Sequence, residues 1–433
     1  MRPTPEPRKI PLLHAAGLVV ANMIGAGIFT TTGLLATELR DPLWILGVWL
    51  AGGLLALCGA DVYGELGAMI PRAGGEYVYL SRAFHPAVGF VSGWVSLIVG
   101  FSAPIAASAI GFGSYLGAAV PGIPPVMATI TLIGLVTMLH MASIRWGSRI
   151  QTVFTAVKIG LLLVFVIAGL TVGRGSWEHL TAGGGPPPVS SMAVALIFVS
   201  FAYSGWNGAA YVAGELEDPG RNLPYALLGG TVVVVVLYLA LNLVFLYAVV
   251  PSEIAGQVEV GHIAAHALFG PTAGGLLSLL IALALVSSVS AMIMAGPRVY
   301  LAMAEDKLFF RAFARRNRFG APWAAVLLQG ALAIVLAVSA TFDQLLVYIG
   351  FTLNLFTALT VLAAFVLRRR APEATRPYRA RAWPVSPLLF LALSIWIAIY
   401  SIAMRPLESL AGLATLAVGL GGYRMRRLVR VAA

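Results

Sequence analysis

Charged residues are scarce in this 433-residue chain, where Asp, Glu, Lys and Arg together make up only 10% of the positions. Cysteine occurs once, as Cys58, so an intrachain disulfide cannot form. Of the six histidines, His262 and His266 share a helical face, but no third metal ligand is evident. Glycine-rich nucleotide loops and nucleophile elbows are missing too. The sequence therefore argues against an ATP-driven pump and predicts no catalytic residue, metal or cofactor.

Most positions of the chain are instead occupied by apolar residues. They make up 59% of the chain and raise its mean hydropathy to +0.90, far above that of a soluble domain. Apolar stretches of about 17 residues or more can cross a hydrocarbon core of about 30 Å. We predict an all-α polytopic membrane protein with twelve transmembrane helices, at 12–37, 43–70, 84–118, 125–143, 149–173, 191–214, 224–250, 274–303, 322–340, 343–368, 385–403 and 407–423.

The basic residues predict an orientation. With the N-terminus in the cytoplasm, only Arg40, Arg174 and Arg405 fall on the outer side, and Lys158 lies within a span. This bias follows the positive-inside rule and places both termini in the cytoplasm, with MRPTPEPRK as a retained tail. The net charge of +11 then indicates orientation and contact with membrane lipids, and no nucleic-acid binding. The composition, rich in alanine, glycine and arginine, favours a bacterial source, and the predicted location is therefore the bacterial inner membrane.

The order of the spans predicts an inverted repeat within a single transport domain, 1–433. Spans one to five cover 12–173, and spans six to ten cover 191–368 after a loop rich in glycine and proline. Because each unit has an odd number of helices, the second unit begins on the opposite side of the membrane. The two remaining spans, 385–423, are predicted to be peripheral.

Small residues interrupt the first helix of each unit, as IGAGIF at 24–29 and as SGWNG at 204–208. Glycine costs about 1 kcal/mol in a helix interior relative to alanine. Non-helical backbone at membrane depth is tolerated around a cavity, so paired breaks indicate a transporter's binding site. The alternative is close helix packing through small residues.

A helix break presents unpaired N–H groups and unpaired carbonyls together, which suits a zwitterionic amino acid. We expect the N–H groups of Gly25, Ala26 and Gly27 to bind the carboxylate. The carbonyls of Asn22, Met23 and span six then bind the ammonium group.

Phe201 and Trp206 flank the second break and can close over a substrate, although ordinary helix packing is the alternative.

Lys158 lies about 14 Å into the membrane, too deep for its side chain to reach the interface. It must pair or become neutral, so it either bridges helices where sodium would bind or carries a proton. The alternative is a structural lysine satisfied by carbonyls alone. Asp61 and Glu65 are expected to form charge pairs or to cap helices near an inner gate, and substrate binding is the alternative.

These segments resemble the amino acid-polyamine-organocation superfamily, in its L-type amino acid transporter-like branch. The resemblance covers about residues 10–370 and is carried, in order, by NMIGAGIFT, YGELG, PRAGGEYVYL, QTVFTAVKIG, FAYSGWNGAAYVAGELEDPGRNLP and AGPRVYLAMAEDK. It implies the leucine-transporter-type fold, a five-plus-five inverted repeat with two peripheral helices.

The resemblance also implies functional residues. Lys158 is the bridge between helices five and one, and Phe201, Trp206 and Asn207 form the gate. The substrate backbone is held by Asn22, Met23, Gly25, Ala26, Gly27, Phe201, Ala202, Ser204 and Gly205. Ala26 lacks the hydroxyl that many relatives carry, and Ser204 replaces a usual glycine, so substrate preference is expected to differ. The loop GAAVPGIPP has no cysteine, so no covalent heavy-chain partner is expected, and the protein is a monomer or weak homo-oligomer.

The function expected from these features is sodium-independent secondary transport of neutral L-amino acids by alternating access, preferably as an exchanger. Proton-coupled symport is one alternative. A polyamine or organic-cation permease is another, but it should need carboxylates at the breaks, where the sequence has none. A membrane sensor or channel is the alternative from another class, without a signalling domain in its favour.

Overall fold

A computed structural model of the protein describes residues 9–72, 74–142, 147–181, 183–306, 308–309, 313, 315–317 and 321–431. The predicted cytoplasmic tail therefore lies, up to residue 8, outside the described residues, as does the last position of the AGPRVYLAMAEDK motif. The described part is almost entirely helical and contains one isolated parallel bridge, between Ile10 and Leu216.

Seventeen α-helices are described. The first nine are α1 Leu12–Met23, α2 Ala26–Leu39, α3 Pro42–Met69, α4 Glu76–Ala83, α5 Pro86–Val95, α6 Ala103–Ala119, α7 Pro125–Ala142, α8 Gly147–Thr171 and α9 Val189–Ala202. The others are α10 Pro219–Ala248, α11 Pro251–Ile254, α12 Val260–Phe269, α13 Pro271–Glu305, α14 Trp323–Ser339, α15 Phe342–Arg370, α16 Val385–Met404 and α17 Pro406–Val431. A π-helical segment, Ser96–Ser102, joins α5 to α6, and 3₁₀ helices cover Trp177–Thr181 and Gly208–Glu215.

Proline and capping side chains determine where several helices begin. Proline is the first residue of α3, α5, α7, α10, α13 and α17, where its missing N–H costs no hydrogen bond. At α3 the Asp41 carboxylate accepts from the N–H groups of Leu43 (2.9 Å) and Trp44 (3.1 Å). Thr341 and Gln344 form a capping box at α15. These boundaries follow from local sequence.

The described helices support a polytopic membrane protein. Seven of them are long and apolar enough to cross a membrane, and the bent pair α1 and α2 is an eighth. Shorter apolar helices are found at Ala156–Thr171, α9, α12 and α14. The twelve predicted spans and their inverted repeat remain predictions.

Buried apolar residues form two main groups. The larger one combines residues of many helices, among them α1, α2, α3, α6, α9, α10, α13 and α15, and contains Met23 and Ala26 on either side of the gap between α1 and α2. The smaller one brings together α6, α7, α13 and α14 through Ile105, Ile133, Ile293 and others. The gap between α1 and α2 therefore lies inside the larger group.

The carboxylates on α3 hold the connection between α15 and α16, residues 371–384. Glu65, which is 3% exposed, accepts from Arg368 at 2.8 and 2.5 Å and lies 3.5 Å from Arg376. It also accepts from the N–H of Ala380 at 2.8 Å. The predicted charge pairing is confirmed for Glu65.

Asp61 instead accepts hydrogen bonds. Its donors are the hydroxyl groups of Tyr378 (2.6 Å) and Ser386 (2.9 Å) and the N–H of Arg381 (3.0 Å). Burial, followed by the bond to Asp61, raises the pKa of Tyr378, so this phenol keeps its proton and remains a donor. The 371–384 connection is thus fixed across the end of α3.

Candidate functional site

The first break separates α1 from α2. Only Ile24 and Gly25 leave helical geometry, and the two helices meet at a bend of 41°. The N–H of Gly25 donates back to the carbonyl of Met23 at 2.9 Å. The predicted break is confirmed, but it is shorter than the predicted segment 24–29 because α2 resumes at Ala26.

The start of α2 presents unpaired donors. The N–H groups of Ala26, Gly27 and Ile28 have no carbonyl four residues back within α2, and no described side chain caps the helix. A Cβ on Gly25 would have no described atom within 4 Å, whereas a Cβ on Gly27 would lie 2.5 Å from the Cα of Ala202. Gly25 therefore faces open space, and at Gly27 the structure shows close packing of α2 against α9.

The second break follows α9, which ends at Ala202, and consists of residues 203–207 before the 3₁₀ helix Gly208–Glu215. Gly205 has a φ of +97°, a conformation that favours glycine. A Cβ on Gly205 would lie 2.8 Å from the carbonyl oxygen of Asn22, and one on Gly208 would clash with the amide of Asn22. The structure thus brings the two breaks into contact at Asn22. Ser204, in this turn, is half-buried and donates its N–H to the carbonyl of Phe201 at 2.9 Å.

The carbonyls at the end of α1 already have donors. Met23 accepts from the hydroxyl of Tyr238 at 2.6 Å and from Gly25, which uses both lone pairs of its oxygen. Met23, which the sequence suggested for the ammonium group, has no free lone pair in this conformation. Asn22 is exposed although Met23 and Ile24 beside it are buried.

Lys158 links the first break to two other helices. It is 1% exposed, and its Nζ donates to the carbonyl of Ile24 at 3.2 Å and to Ser288 Oγ at 2.7 Å. Neither partner carries a charge. The side chain thereby connects α8 with the first break and with α13.

Trp206 and Phe201 are both buried, at 7% and 6% exposure. The Trp206 ring packs edge-on against Tyr63, with centroids 4.7 Å apart, and a Cβ on Gly59 would lie 2.6 Å from it. In this conformation Trp206 packs against α3 and does not close over the first break. Its neighbour Asn207 donates to Glu76 Oε1 at 2.5 Å.

The α2 side of the breaks is sealed. Gly256, after α11, donates its N–H to the carbonyl of Gly33 at 2.9 Å, and a Cβ on Gly33 would clash with the carbonyl of Gln257. Tyr115 donates to the carbonyl of Phe29 at 2.6 Å. Among the site residues named from the sequence, the exposed one is Asn22, near the end of α1.

Sequence reasoning missed Tyr238 and Ser288. Tyr238 lies in the apolar run VVVVVLYLALN, and a hydroxyl at such a place requires a partner within the protein. That signal predicts a hydrogen bond but does not identify the Met23 carbonyl. Ser288 lies in SSVS, where several serines are equivalent in sequence.

Known proteins match this chain along most of its length. A sequence model of a family described as Amino acid permease matches residues 10–421. The serine/threonine exchanger SteT of Bacillus subtilis (strain 168) is 30% identical over 399 residues, 90% of this chain and 90% of that protein. The large neutral amino acids transporter small subunit 2 of Oryctolagus cuniculus is 30% identical over 431 residues, 96% of this chain and 80% of that protein. The b(0,+)-type amino acid transporter 1 of Rattus norvegicus is 28% identical over 412 residues, 92% of this chain and 83% of that protein.

Proposed function

This chain belongs to the amino acid permease family, and from that premise we propose that it exchanges neutral L-amino acids across a membrane, without sodium, by alternating access. The family and the similar proteins are transporters, so an enzyme activity is not expected. The observation that carries the finer proposal is the contact of two broken helices at Asn22, next to the unpaired N–H groups of α2.

The proposed site binds both ends of a zwitterion. The carboxylate is bound by the N–H groups at the start of α2, where the helix dipole also favours an anion. The ammonium group is bound by carbonyls of the two breaks. The proposed residues are those named from the sequence: Asn22, Met23, Gly25, Ala26, Gly27, Phe201, Ala202, Ser204 and Gly205. The N–H of Gly25 can bind the substrate after its hydrogen bond to the Met23 carbonyl breaks. The Met23 carbonyl can bind the substrate after this bond or the one from the Tyr238 hydroxyl breaks.

Lys158 supports the absence of sodium coupling. Its amino group joins the Ile24 carbonyl to Ser288 on α13, and so places a permanent donor between helices at the first break. A bound sodium ion is therefore not needed to connect the Ile24 carbonyl oxygen with Ser288 Oγ. Phe201, Trp206 and Asn207 are proposed as gate residues.

The membrane topology is also part of the proposal. Twelve spans form a single domain, 1–433, in which 12–173 and 191–368 are inverted repeats and 385–423 are peripheral. Both termini lie in the cytoplasm of a bacterium, and the protein resides in its plasma membrane. In this proposal the closed α2 side is the outer side, and the exposure of Asn22 supports an inward-facing state. We propose a monomer or weak homo-oligomer, surrounded by lipid and without a covalent heavy chain.

L-Serine and L-threonine are the first substrates to test, because the name of the Bacillus subtilis relative refers to them. Large neutral amino acids are the second group.

The test is counterflow in proteoliposomes that contain the purified protein. Labelled L-serine should enter liposomes preloaded with L-serine at equal rates in sodium and in choline buffers, and empty liposomes should take up little. Strict sodium dependence would overturn the proposal. Accumulation in empty liposomes under an inward proton gradient would favour proton-coupled symport, and competition by putrescine would favour a polyamine permease.

A further inference from the structure

Glu76 is a buried carboxylate that the proposed transport mechanism does not use. It is the first residue of α4, is 6% exposed, and makes no ion pair within the part of the chain that the structure describes. Its Oε1 accepts from the hydroxyl of Tyr63 at 3.0 Å and from Asn207 Nδ2 at 2.5 Å. Burial of a carboxylate costs free energy unless hydrogen-bond donors replace the lost water. The presence of Glu76 next to these two donors therefore points to a role for it.

The turn before Glu76 is shaped around Tyr211. Gly74 and Gly75 have φ angles of +125° and +53°, which only glycine adopts easily. The N–H of Gly74 donates to the carbonyl of Tyr211 at 3.3 Å, and a Cβ on Gly75 would lie 2.7 Å from the Tyr211 ring. Because this turn wraps the 3₁₀ helix Gly208–Glu215, it sets Glu76 directly against Asn207. The helix dipole of α4 also favours a carboxylate at its first residue.

Asn207 joins the second break to the 3₁₀ helix. The N–H of Ala210 donates to its carbonyl at 2.9 Å, and its neighbour Gly208 packs against Asn22. A displacement of Asn207 therefore moves the turn 203–207 relative to the first break. Glu76 is the strongest hydrogen-bond acceptor that holds this residue.

We propose that Glu76 is a positioning residue for transport: its carboxylate binds the amide of Asn207 and thereby sets the place of the second break against Asn22. This inference rests on the proposed function. A carboxylate only accepts hydrogen bonds, so it fixes which end of the Asn207 amide faces α4. Charge-assisted bonds of this kind are about twice as strong as neutral ones.

The test exchanges donor and acceptor. Asn207→Asp places two carboxylates together, and should raise the half-saturation concentration for L-serine counterflow about tenfold. In the double variant E76Q/N207D, the new amide on α4 turns its NH₂ group toward the place that Oε1 occupies in the wild type. It then donates one hydrogen to the new carboxylate at the second break and the other to the hydroxyl oxygen of Tyr63. The double variant should return to within about threefold of the wild-type half-saturation concentration. A merely structural role would lower the amount of folded protein and leave that concentration unchanged.

Tyr77→Phe is the matched control. Tyr77 is the next residue of α4 but donates to Asp306 at 2.9 Å, away from Asn207. This variant should keep the wild-type half-saturation concentration. A wild-type value in N207D, or a double variant that stays as impaired as N207D while melting normally, would overturn the inference. If N207D does not fold, a wild-type value in folded E76A overturns it instead. A wild-type protein that does not exchange L-serine contradicts the proposed function before any variant is compared.

Discussion

At the scale of single residues, the depth of Lys158 in the predicted membrane span did not identify its hydrogen-bond partners. Its position in the fifth predicted span indicated a buried amino group that needs partners within the protein. The acceptors, a carbonyl at the first break and the hydroxyl of Ser288, come from segments more than 100 residues away in either direction. No local pattern selects Ser288 among its neighbours, because the choice depends on how α13 packs.

Replacement of Lys158 by alanine should abolish most of the transport. Both hydrogen bonds are lost, and the Ile24 carbonyl is left without this donor, so the exchange rate should fall at least about tenfold. Ser288→Ala removes one acceptor and should give a smaller loss. Counterflow of L-serine, with the melting temperature as the check on folding, measures both. Full activity of folded K158A would remove the lysine from the mechanism.

The contacts of the small residues at the two breaks could not be predicted from the sequence either. The sequence located both breaks because glycines destabilise a helix wherever they stand. It could not distinguish Gly25, which faces open space, from Gly27, which packs on Ala202. It also suggested that Trp206 closes over a substrate, whereas the ring packs against Tyr63 of α3. Which way a side chain points depends on neighbours that are distant in sequence.

At the scale of elements, the 371–384 connection holds α15 to α3 through Glu65. The Arg368 guanidinium also stacks on Trp383, 3.6 Å from the ring centroid. Two arginines and a backbone N–H converge on one carboxylate that is almost fully buried. Removal of the charge leaves the arginines without their anion in a poorly solvated place.

Glu65→Gln should therefore destabilise the protein by about 3 kcal/mol. Glu38→Gln is the matched control, because Glu38 pairs at 3.2 Å with Arg405, which is 30% exposed, and exposed pairs contribute about 1 kcal/mol or less. Thermal unfolding in detergent should show a clearly larger loss of melting temperature for E65Q. Equal losses in the two variants would contradict the prediction.

At the scale of the whole molecule, the two buried apolar groups share α6 and α13, which reach the larger group through residues such as Ala106 and Ile281. One group contains α6, α7, α13 and α14, and the other contains both helices of the first break. Hydropathy located the long apolar helices because apolar length is a local property, and seven described helices together with the bent pair α1 and α2 are long and apolar enough to cross a membrane. The division into two groups, and the side on which the site is open, depend on which helices pack together and do not follow from hydropathy.

Thiol labelling can test the proposed inward-facing state. In a variant without Cys58, Asn22→Cys should react with a membrane-impermeant maleimide in inside-out vesicles and much less in right-side-out vesicles, and L-serine should slow the reaction. Glu253→Cys on α11, also exposed, should show the opposite sidedness. Labelling of both positions from the same side would contradict the assigned topology.

The contact between Gly33 and Gln257 affects the balance between the inward-facing and outward-facing states of the proposed transport cycle. There is space for only a hydrogen atom at position 33 while the segment after α11 is in place. A methyl group added there would act as a wedge that penalises the sealed arrangement and leaves the distant substrate groups untouched. Under the proposed topology and alternating access, the volume of one side chain at the outer edge thus shifts the resting population of the carrier.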